Sequence, residues 1–255
     1  MAAEVDLHSG ELELTGRITS ASNATFLGGI GGTAVIYKPV AGERPLWDFP
    51  DHDLARREIA AYLVSESLGW NVVPCTWLRD GPFGVGMVQL WQDADPKQDA
   101  VDLVLADAVP DGWRRVFAGT DEQGHPVALI HENSHALRRM AVFDIVVNNA
   151  DRKGAHILPM AGGHRHGVDH GLTFHVEHKL RTVLWGWLGE PLNSAELAGI
   201  DHVRSDLVSG LGDALGRLVS DPEIEALDAR CQRLLLESRF PAPHGDMPAM
   251  PWPLF

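Results

Sequence analysis

The sequence predicts an α+β protein with two lobes, a small β-rich amino-terminal lobe and a mainly helical carboxy-terminal lobe. Apolar and polar side chains alternate over residues 11–40, as in half-buried strands, whereas residues 51–70 repeat apolar side chains at helical spacing. The composition changes at the polar stretch QDADPKQDA, and longer helical patterns follow it. We therefore predict three regions: an amino-terminal lobe at 1–91, a helical carboxy-terminal lobe at 92–240 and a proline-rich tail at 241–255.

Strands surround one helix in the predicted amino-terminal lobe. ELELTGRI forms the first strand, and TFLGGIGGTAVIYKP forms two more that turn at Gly31 and Gly32, after the small polar loop SASNAT. The helix in DHDLARREIAAYLVSESLGW can be capped by Asp51 or Asp53 and ends at Gly69. VVPCTWLRD and GVGMVQLW are two further strands.

The carboxy-terminal lobe is predicted to contain helices joined by loops and short strands. In chain order these are a weak helix near 99–109, a polar turn-rich insert at 110–128, a helix from Ser134 to Asn149, short strands in AHILPM and GVDHGLTF, and helices at 194–218 and 222–239. The tail has too many prolines for regular structure, although Trp252, Leu254 and Phe255 can dock on the body.

Composition and charge argue against several classes of function. The chain has 35 acidic and 21 basic side chains, a formal net charge of −14, and no run of Lys and Arg that forms a basic patch. Such a surface repels nucleic-acid phosphates and anionic lipid head groups. No apolar run approaches the roughly 18 residues that a membrane span needs. We therefore expect no nucleic-acid partner and no integral membrane association.

Cysteine usage and the amino terminus predict a cytoplasmic protein. Cys75 and Cys231, the two cysteines, lie far apart and in no metal-ligand spacing, which fits a reducing compartment. The acidic start of the chain lacks the basic residues and apolar core of a signal peptide. These features leave the oligomeric state open.

The stretch LIHENSHAL contains the pattern H-E-x-x-H at His131, Glu132 and His135. On a helix this spacing places two imidazoles on one face to bind zinc, with the glutamate near a metal-bound water, as in metalloproteases. A third zinc ligand is absent from the places where such proteases carry it, and Ser134 is a candidate helix cap that would leave His131 ahead of the helix. A zinc metalloprotease is therefore an unfavoured alternative. A structural zinc site among the six histidines between 156 and 178 is another.

Lys38 and Glu58 are the first candidate functional residues. Lys38 ends the strand pattern VIYKP, where it is a solvated strand lysine or a fixed cation for nucleotide phosphates. Backbone amides of the preceding loop SASNAT could wrap the same phosphates. Glu58 lies in the predicted helix, where its carboxylate could hold such a lysine in place.

Two polar segments further along the chain supply acids. In VVNNADRKGAHIL, Asp151 can accept a proton from an attacking hydroxyl, and Arg152 can hold the loop or neutralise phosphate. His156 in the same segment could coordinate a metal. In GVDHGLTFH, Asp169 precedes a flexible His-Gly pair and can present its carboxylate to a cation. Taken singly, each segment is also an ordinary polar turn.

Together, in this order, these residues are the parts that phosphoryl transfer needs. With them the chain resembles the phosphatidylinositol 3- and 4-kinase superfamily, nearest the type II phosphatidylinositol 4-kinases and the HipA-like kinases. YKP resembles the phosphate-lysine strand, REIAAYLVSESLGWNVVP the glutamate helix, GMVQLW the hinge, NNADRKGAH the catalytic loop and VDHGLTF the metal-binding segment. The resemblance implies a two-lobed, protein-kinase-like fold of the atypical kinase type, and a kinase that uses ATP and Mg2+ or Mn2+.

The resemblance also implies a role for each matching residue. Lys38 would bind phosphate with Glu58 as its partner, Asp151 would be the base beside Arg152, and Asp169 would bind the metal. The remaining positions are Ser22 and Asn23 in the phosphate loop, and Gln89, Leu90 and Trp91 at the border of the adenine.

One residue departs from the family pattern. The family usually has asparagine where this chain has His156. Magnesium prefers oxygen ligands, whereas imidazole suits manganese or zinc. We therefore expect activity with Mn2+ favoured over Mg2+. An ATP-binding pseudokinase scaffold is the alternative if the histidine disables the metal site.

The phosphate acceptor is left open by the residues. A soluble protein kinase that phosphorylates a protein or itself fits the acidic chain best, and Ser20, Ser22 or Thr25 would be the self-modified site by resemblance. A phosphoinositide kinase is the alternative, although TFHVEHKLRTVLWGW offers only Lys179 and Arg181 as fixed cations for a lipid head group. An inositol or sugar kinase is a third possibility.

Overall fold

Five antiparallel strands form the amino-terminal sheet, in the order β1-β2-β3-β5-β4. The structure is a computed structural model that describes residues 6–19, 21–44, 46–49, 53–245 and 248–255. The strands of this sheet are β1 (Leu12–Arg17), β2 (Phe26–Ile30), β3 (Thr33–Pro39), β4 (Thr76–Gly81) and β5 (Gly84–Leu90). The strands predicted within residues 11–40, 72–80 and 84–91 are confirmed, and the turn between β2 and β3 is made by Gly31 and Gly32, both with positive φ.

Helix α1 (Leu54–Leu68) crosses between β3 and β4. It ends at Gly69, whose left-handed conformation (φ 68°) confirms the predicted stop. The predicted cap by Asp53 is wrong, because the carboxylate of Asp53 pairs with Arg57 and makes no cap bond, while Asp51 lies outside the described residues. Instead, the carboxylate of Glu43 accepts the amides of the first two helical residues at 3.2 and 2.7 Å.

Three antiparallel strands form a second sheet in the order β6-β8-β7. They are β6 (Val101–Leu105), β7 (Trp113–Thr120) and β8 (Pro126–Glu132). The helix expected near 99–109 is therefore wrong, and so is the turn-rich insert at 110–128. Apolar residues at 101, 103 and 105 repeat with period two, and pairing to β8 decides the structure of such a short apolar run. The segment 92–240 is thus less helical than predicted.

The remaining elements follow the predicted order. They are α2 (His135–Val147), the hairpin of β9 (Ile157–Pro159) and β10 (Arg165–Gly167), and α3 (Ser194–Leu207), α4 (Gly210–Leu215) and α5 (Asp221–Glu237). Ser134 caps α2 through a hydrogen bond from the amide of Leu137, as expected. The single helix predicted at 194–218 is broken between α3 and α4. The strand predicted in GVDHGLTF forms earlier, at β10, which is buried.

The apolar core has one large part and two small ones. Helices α1, α2, α3 and α5 contribute to the large part, which includes Val64, Phe143 and Trp187. The amino-terminal sheet has its own small core around Tyr37, and Ala55, Ile59 and Met87 form a cluster between α1 and β5. In the tail, Leu254 packs on the large core, whereas Trp252 is 86% exposed and Phe255 half-exposed. Among the residues that the structure describes, no helix has the length and apolarity to cross a bilayer.

Two residues of the H-E-x-x-H motif, His131 and Glu132, make structural contacts, and the motif does not form a zinc site. The ring of His131 is fully buried on Trp187, with Nδ1 2.7 Å from the carbonyl of Glu132 and Nε2 accepting the amide of Gly186 at 3.0 Å. The carboxylate of Glu132 accepts from Arg165 Nε at 2.9 Å and from Arg165 Nη2 at 2.8 Å. The three residues lie at the end of β8 and the start of α2, and the described residues contain no group of three His, Cys, Asp or Glu side chains that could hold a metal. The metalloprotease and the dedicated zinc site are therefore not supported.

Burial of His131 makes the stability of the fold depend on pH. Burial lowers the pKa of His131 from its ordinary 6.5 to about 4. As the pH falls, His131 is therefore protonated in the unfolded chain before it is protonated in the folded protein. The stability that the neutral, buried ring contributes is fully present above pH 6.5 and is lost as the pH falls towards 4. One pKa unit corresponds to about 1.4 kcal/mol, so the loss amounts to roughly 3 kcal/mol. We expect His131→Gln to lower the unfolding free energy at pH 7 and to flatten its fall between pH 6.5 and 4, measured by urea denaturation.

The matched control is His135→Gln, which removes the exposed histidine of the same motif. It should leave the pH dependence as in the unmodified chain. Equal slopes for His131→Gln and the unmodified chain would contradict the assignment.

Candidate functional site

Lys38 lies on the central strand of the amino-terminal sheet and joins two carboxylates. Its ammonium is 2.5 Å from Glu58 Oε1 on α1 and 2.9 Å from Asp169 Oδ1. β3 pairs with β5 at this point, Lys38 opposite Met87, so the backbone position of the lysine is fixed by the ladder. The structure therefore brings together three predicted residues that are separated by up to 131 positions in sequence.

Asp169 owes its position to an unusual backbone conformation after β10. Its φ is +62°, in the left-handed region that aspartate tolerates better than most residues. The next residue turns back, so that the amide of His170 donates to Glu58 Oε2 at 3.2 Å. Glu58 thus accepts from both Lys38 and the backbone of the Asp169 segment, while the Asp169 side chain stays half-exposed.

The catalytic-loop candidate follows α2 and is held by side chains of its own neighbourhood. The amide of Asp151 donates to Asn149 Oδ1 at 3.0 Å, and the Asn149 side chain donates in turn to Asp144 at 2.9 Å. The Asp151 carboxylate is partly exposed and lies 3.0 Å from Lys153 Nζ. The Asp151 carboxylate is therefore accessible to solvent, while its backbone amide is held by Asn149.

Arg152 is fully buried and holds the loop. Its guanidinium makes a two-pronged contact with Asp144 at 2.8 and 2.9 Å. It also donates to the carbonyls of His156 and Val168, and Nη2 lies 2.6 Å from His170 Nε2. Of the two roles considered for Arg152, holding the loop and neutralising phosphate, the structure supports only the first. A guanidinium with no exposed surface cannot reach a phosphate.

His156 lies across Asp169 from Lys38. Its Nδ1 is 2.9 Å from the carbonyl oxygen of Asp151, and because a carbonyl only accepts, Nδ1 carries the hydrogen. In the neutral ring Nε2 is then an unprotonated nitrogen, 3.4 Å from Asp169 Oδ2. Two electron-pair donors face each other here, an arrangement that fits a shared cation. His156 and Asp169 are thus the residues that could hold a metal. Phosphate oxygens or water would have to supply the other ligands, since the described chain offers no third side chain.

The charges of the site are set by burial and by the lysine. Burial opposes the charge on Lys38, but Asp169 and Glu58 outweigh it and raise the lysine pKa above its ordinary value. The ammonium in turn holds the pKa of Asp169 well below its usual range, whereas burial raises the pKa of Glu58. Burial lowers the pKa values of His156 and His170. The site at neutral pH therefore combines a fixed cation with an exposed carboxylate and neutral imidazoles.

The remaining predicted residues lie in the same sheet but make other contacts. The side chain of Gln89 is buried and donates to Thr76 at 2.8 Å, and the amides of Leu90 and Trp91 donate to the carbonyls of residues 75 and 34. Leu90 is partly buried, and Trp91 is 41% exposed with its indole bonded to Asp93. In the loop before β2, Ser22 is exposed, and the Asn23 side chain accepts the amide of residue 44 at 2.9 Å.

Sequence reasoning gave no structural role to two residues that hold the site together. Asp144 is the buried partner of Arg152, and its signal was available as a lone acid within the apolar run AVFDIVV of α2. His170 is buried and connects Arg152 with the Glu58 segment, but nothing in a histidine-rich sequence distinguishes it from its neighbours.

Comparison with known proteins gives one clear relative. No protein-family model matches the sequence. The fold is similar to the crystal structure of the Helicobacter pylori proinflammatory kinase CtkA, with a TM-score of 0.49, 12% identity, and coverage of 92% of this chain and 95% of that one. A likeness at this level carries no conclusion about activity. Protein Rv2133c of Mycobacterium tuberculosis is 50% identical over 262 aligned positions, which cover 98% of this chain and 94% of that protein. The chain therefore belongs to the same family as Protein Rv2133c.

Proposed function

We propose that the chain is an ATP- and divalent-metal-dependent phosphotransferase, a kinase of the two-lobed atypical type. One observation carries the proposal, namely the contact of Lys38 with both Glu58 and Asp169. A strand lysine, a helix glutamate and a metal carboxylate drawn from three distant segments are the parts that kinases use to hold nucleotide phosphates.

In this proposal Lys38 binds the phosphates of ATP and Glu58 keeps its ammonium in position. The loop between β1 and β2, with Ser22 and Asn23, covers the phosphates. The adenine lies against the backbone of Gln89, Leu90 and Trp91, the segment that leaves the sheet. The support is the order of these elements around β3, with the loop before β2 on one side and β5 on the other.

Asp151 acts as the base. The acceptor hydroxyl attacks the γ-phosphorus, its proton passes to the Asp151 carboxylate, and the bond from the γ-phosphorus to the oxygen of the departing ADP breaks. Partial exposure of Asp151 supports this role, since an acceptor hydroxyl can reach its carboxylate. A divalent metal held by Asp169 and His156 would neutralise phosphate charge when bound.

The acceptor is proposed to be a protein, including the chain itself. Of the three candidate self-modified residues, Ser22 is exposed, Thr25 is 5% exposed and bonded to a carbonyl, and Ser20 lies outside the described residues. Exposure favours Ser22. We place the activity in the cytoplasm, on the charge and cysteine content of the sequence.

Replacing the base tests the central proposal. Asp151→Asn should lower the rate of phosphate transfer from radiolabelled ATP by about 10²- to 10⁴-fold, because it removes the proton acceptor and keeps the shape. The assay compares the protein alone, with lipid vesicles, with inositol and with cell lysate. Asp111→Asn, at an exposed turn before β7, is the control and should keep full activity. Nucleotide binding without transfer to any acceptor would indicate an inactive scaffold instead.

Metal preference tests the role of His156. Because its ligand atom is an imidazole nitrogen, turnover should be faster with Mn2+ than with Mg2+ at equal free metal. His156→Asn should lower the Mn2+-to-Mg2+ rate ratio, since the amide offers oxygen. Equal or better turnover of the unmodified chain with Mg2+ would contradict the role of His156 as a metal ligand.

Self-modification is tested by intact-mass spectrometry after incubation with ATP and Mn2+. We expect the gain of one phosphate, its loss in Ser22→Ala, and its retention in the control Ser209→Ala, a distant exposed serine. No mass gain in the unmodified chain, or a gain that survives Ser22→Ala, would exclude Ser22.

A further inference from the structure

The tail segment, defined here as residues 248–255, runs across the loop that carries Asp151 and His156. Its first anchor is the carbonyl of Ala249, which accepts from the amide of Thr182 at 3.1 Å and from the indole of Trp185 at 2.9 Å. Its second anchor is the carbonyl of Leu254, which accepts from the amide of Gly154 at 2.8 Å. The tail therefore joins two chain segments that flank the candidate site.

The bond from Gly154 orders the turn that aims His156. Residues Gly154–His156 form one turn of 3₁₀ helix, and the first amide of such a turn has no partner within it. Leu254 supplies that partner. Without Leu254, the amide of Gly154 would lose this acceptor, and Gly154 lies between Asp151 and His156 in the loop.

Phe255 packs on the same glycine. A Cβ atom built on Gly154 would lie 2.5 Å from Phe255 Cε1, so the aromatic ring lies against a backbone that only glycine leaves uncovered. The ring remains 48% exposed, and burial in a core does not explain its place. Trp252, in the same segment, is 86% exposed and serves as an internal comparison.

The other anchor reaches the loop through Arg152. The amide of Arg152 donates to the carbonyl of Arg181 at 3.0 Å, and the amide of Val183 donates to the carbonyl of Arg152 at 3.2 Å. Thr182, which the tail holds, lies between these two partners. The tail segment thus supports the loop on both sides, at 152 through 181–183 and at 154 directly.

We propose that Leu254 and Phe255 are positioning residues for the transfer reaction, which fix the loop so that Asp151 and His156 keep their places. This role rests on the proposed kinase function. The tail touches neither Lys38 nor Glu58 among the described contacts, so it affects the turnover step more than the binding of ATP.

Phe255→Ala tests the proposal, with Trp252→Ala as the control. We expect Phe255→Ala to lower kcat by about 10- to 100-fold, because a misplacement of catalytic groups by about 1 Å can cost up to 10²-fold in rate. KM for ATP should change less than twofold, and Trp252→Ala should match the unmodified chain in both constants. Phe255→Leu, which keeps an apolar side chain, should restore most of kcat. Equal kcat in Phe255→Ala and Trp252→Ala, or a loss confined to KM, would overturn the proposal.

Hydrogen exchange keeps the test independent of activity. Amide exchange in a peptide that covers 151–156 should speed up in Phe255→Ala and in Gly154→Ala, whose new methyl group displaces the ring, and should be unchanged in Trp252→Ala. If the unmodified chain transfers no phosphate, faster exchange still supports the positioning contact while the proposed function fails. Unchanged exchange in both variants overturns the contact itself.

Discussion

The buried ion pair of Arg152 and Asp144 organises everything around the candidate site. Both side chains have no exposed surface, and the guanidinium also reaches the carbonyls of His156 and Val168 and the ring of His170. Helix α2, the loop after it and the segment before Asp169 are therefore tied to one charged group. A buried charge that loses its partner costs several kcal/mol, so these segments are ordered together. Because Arg152 is buried in this pair, it cannot neutralise phosphate, which was one of the two roles that the sequence suggested for it.

Above this pair, Lys38 controls the electrostatics. The chain has a formal net charge of −14, and two of its acids are brought to a single ammonium. Glu58 is buried and its charge depends on that contact, whereas Asp169 keeps half its surface open. The lysine thus pairs with both carboxylates, but Glu58 is buried, whereas the Asp169 side chain also faces solvent, where a ligand can reach it. The neutral ring of His156 adds an electron-pair donor, its Nε2, next to the exposed Asp169 carboxylate.

Sequence patterns were sufficient to predict the elements whose structure depends mainly on residues close by in the chain. Period-two alternation, Gly31-Gly32 and the stop at Gly69 were enough for the first sheet and α1, and Ser134 was enough for the start of α2. β6 was missed because a short apolar run is equally compatible with helix until its partner β8 is known. The cap of α1 was misassigned for a similar reason, since Glu43 reaches it from 11 residues away. Residue type and order singled out Lys38, Glu58 and Asp169, which the structure brings into contact, while the role of Asp151 as the base stays a prediction. The burial of Arg152 and Gln89 depends on tertiary packing, which no single segment encodes.

The division of the apolar core has a mechanical consequence. The amino-terminal sheet packs around Tyr37, the helices pack around Phe143 and Trp187, and Ala55, Ile59 and Met87 form a small cluster between α1 and β5. Lys38 on the sheet and Asp169 after β10 belong to none of these clusters and are joined by an ion pair at 2.9 Å, so their separation is set by charge and not by core packing.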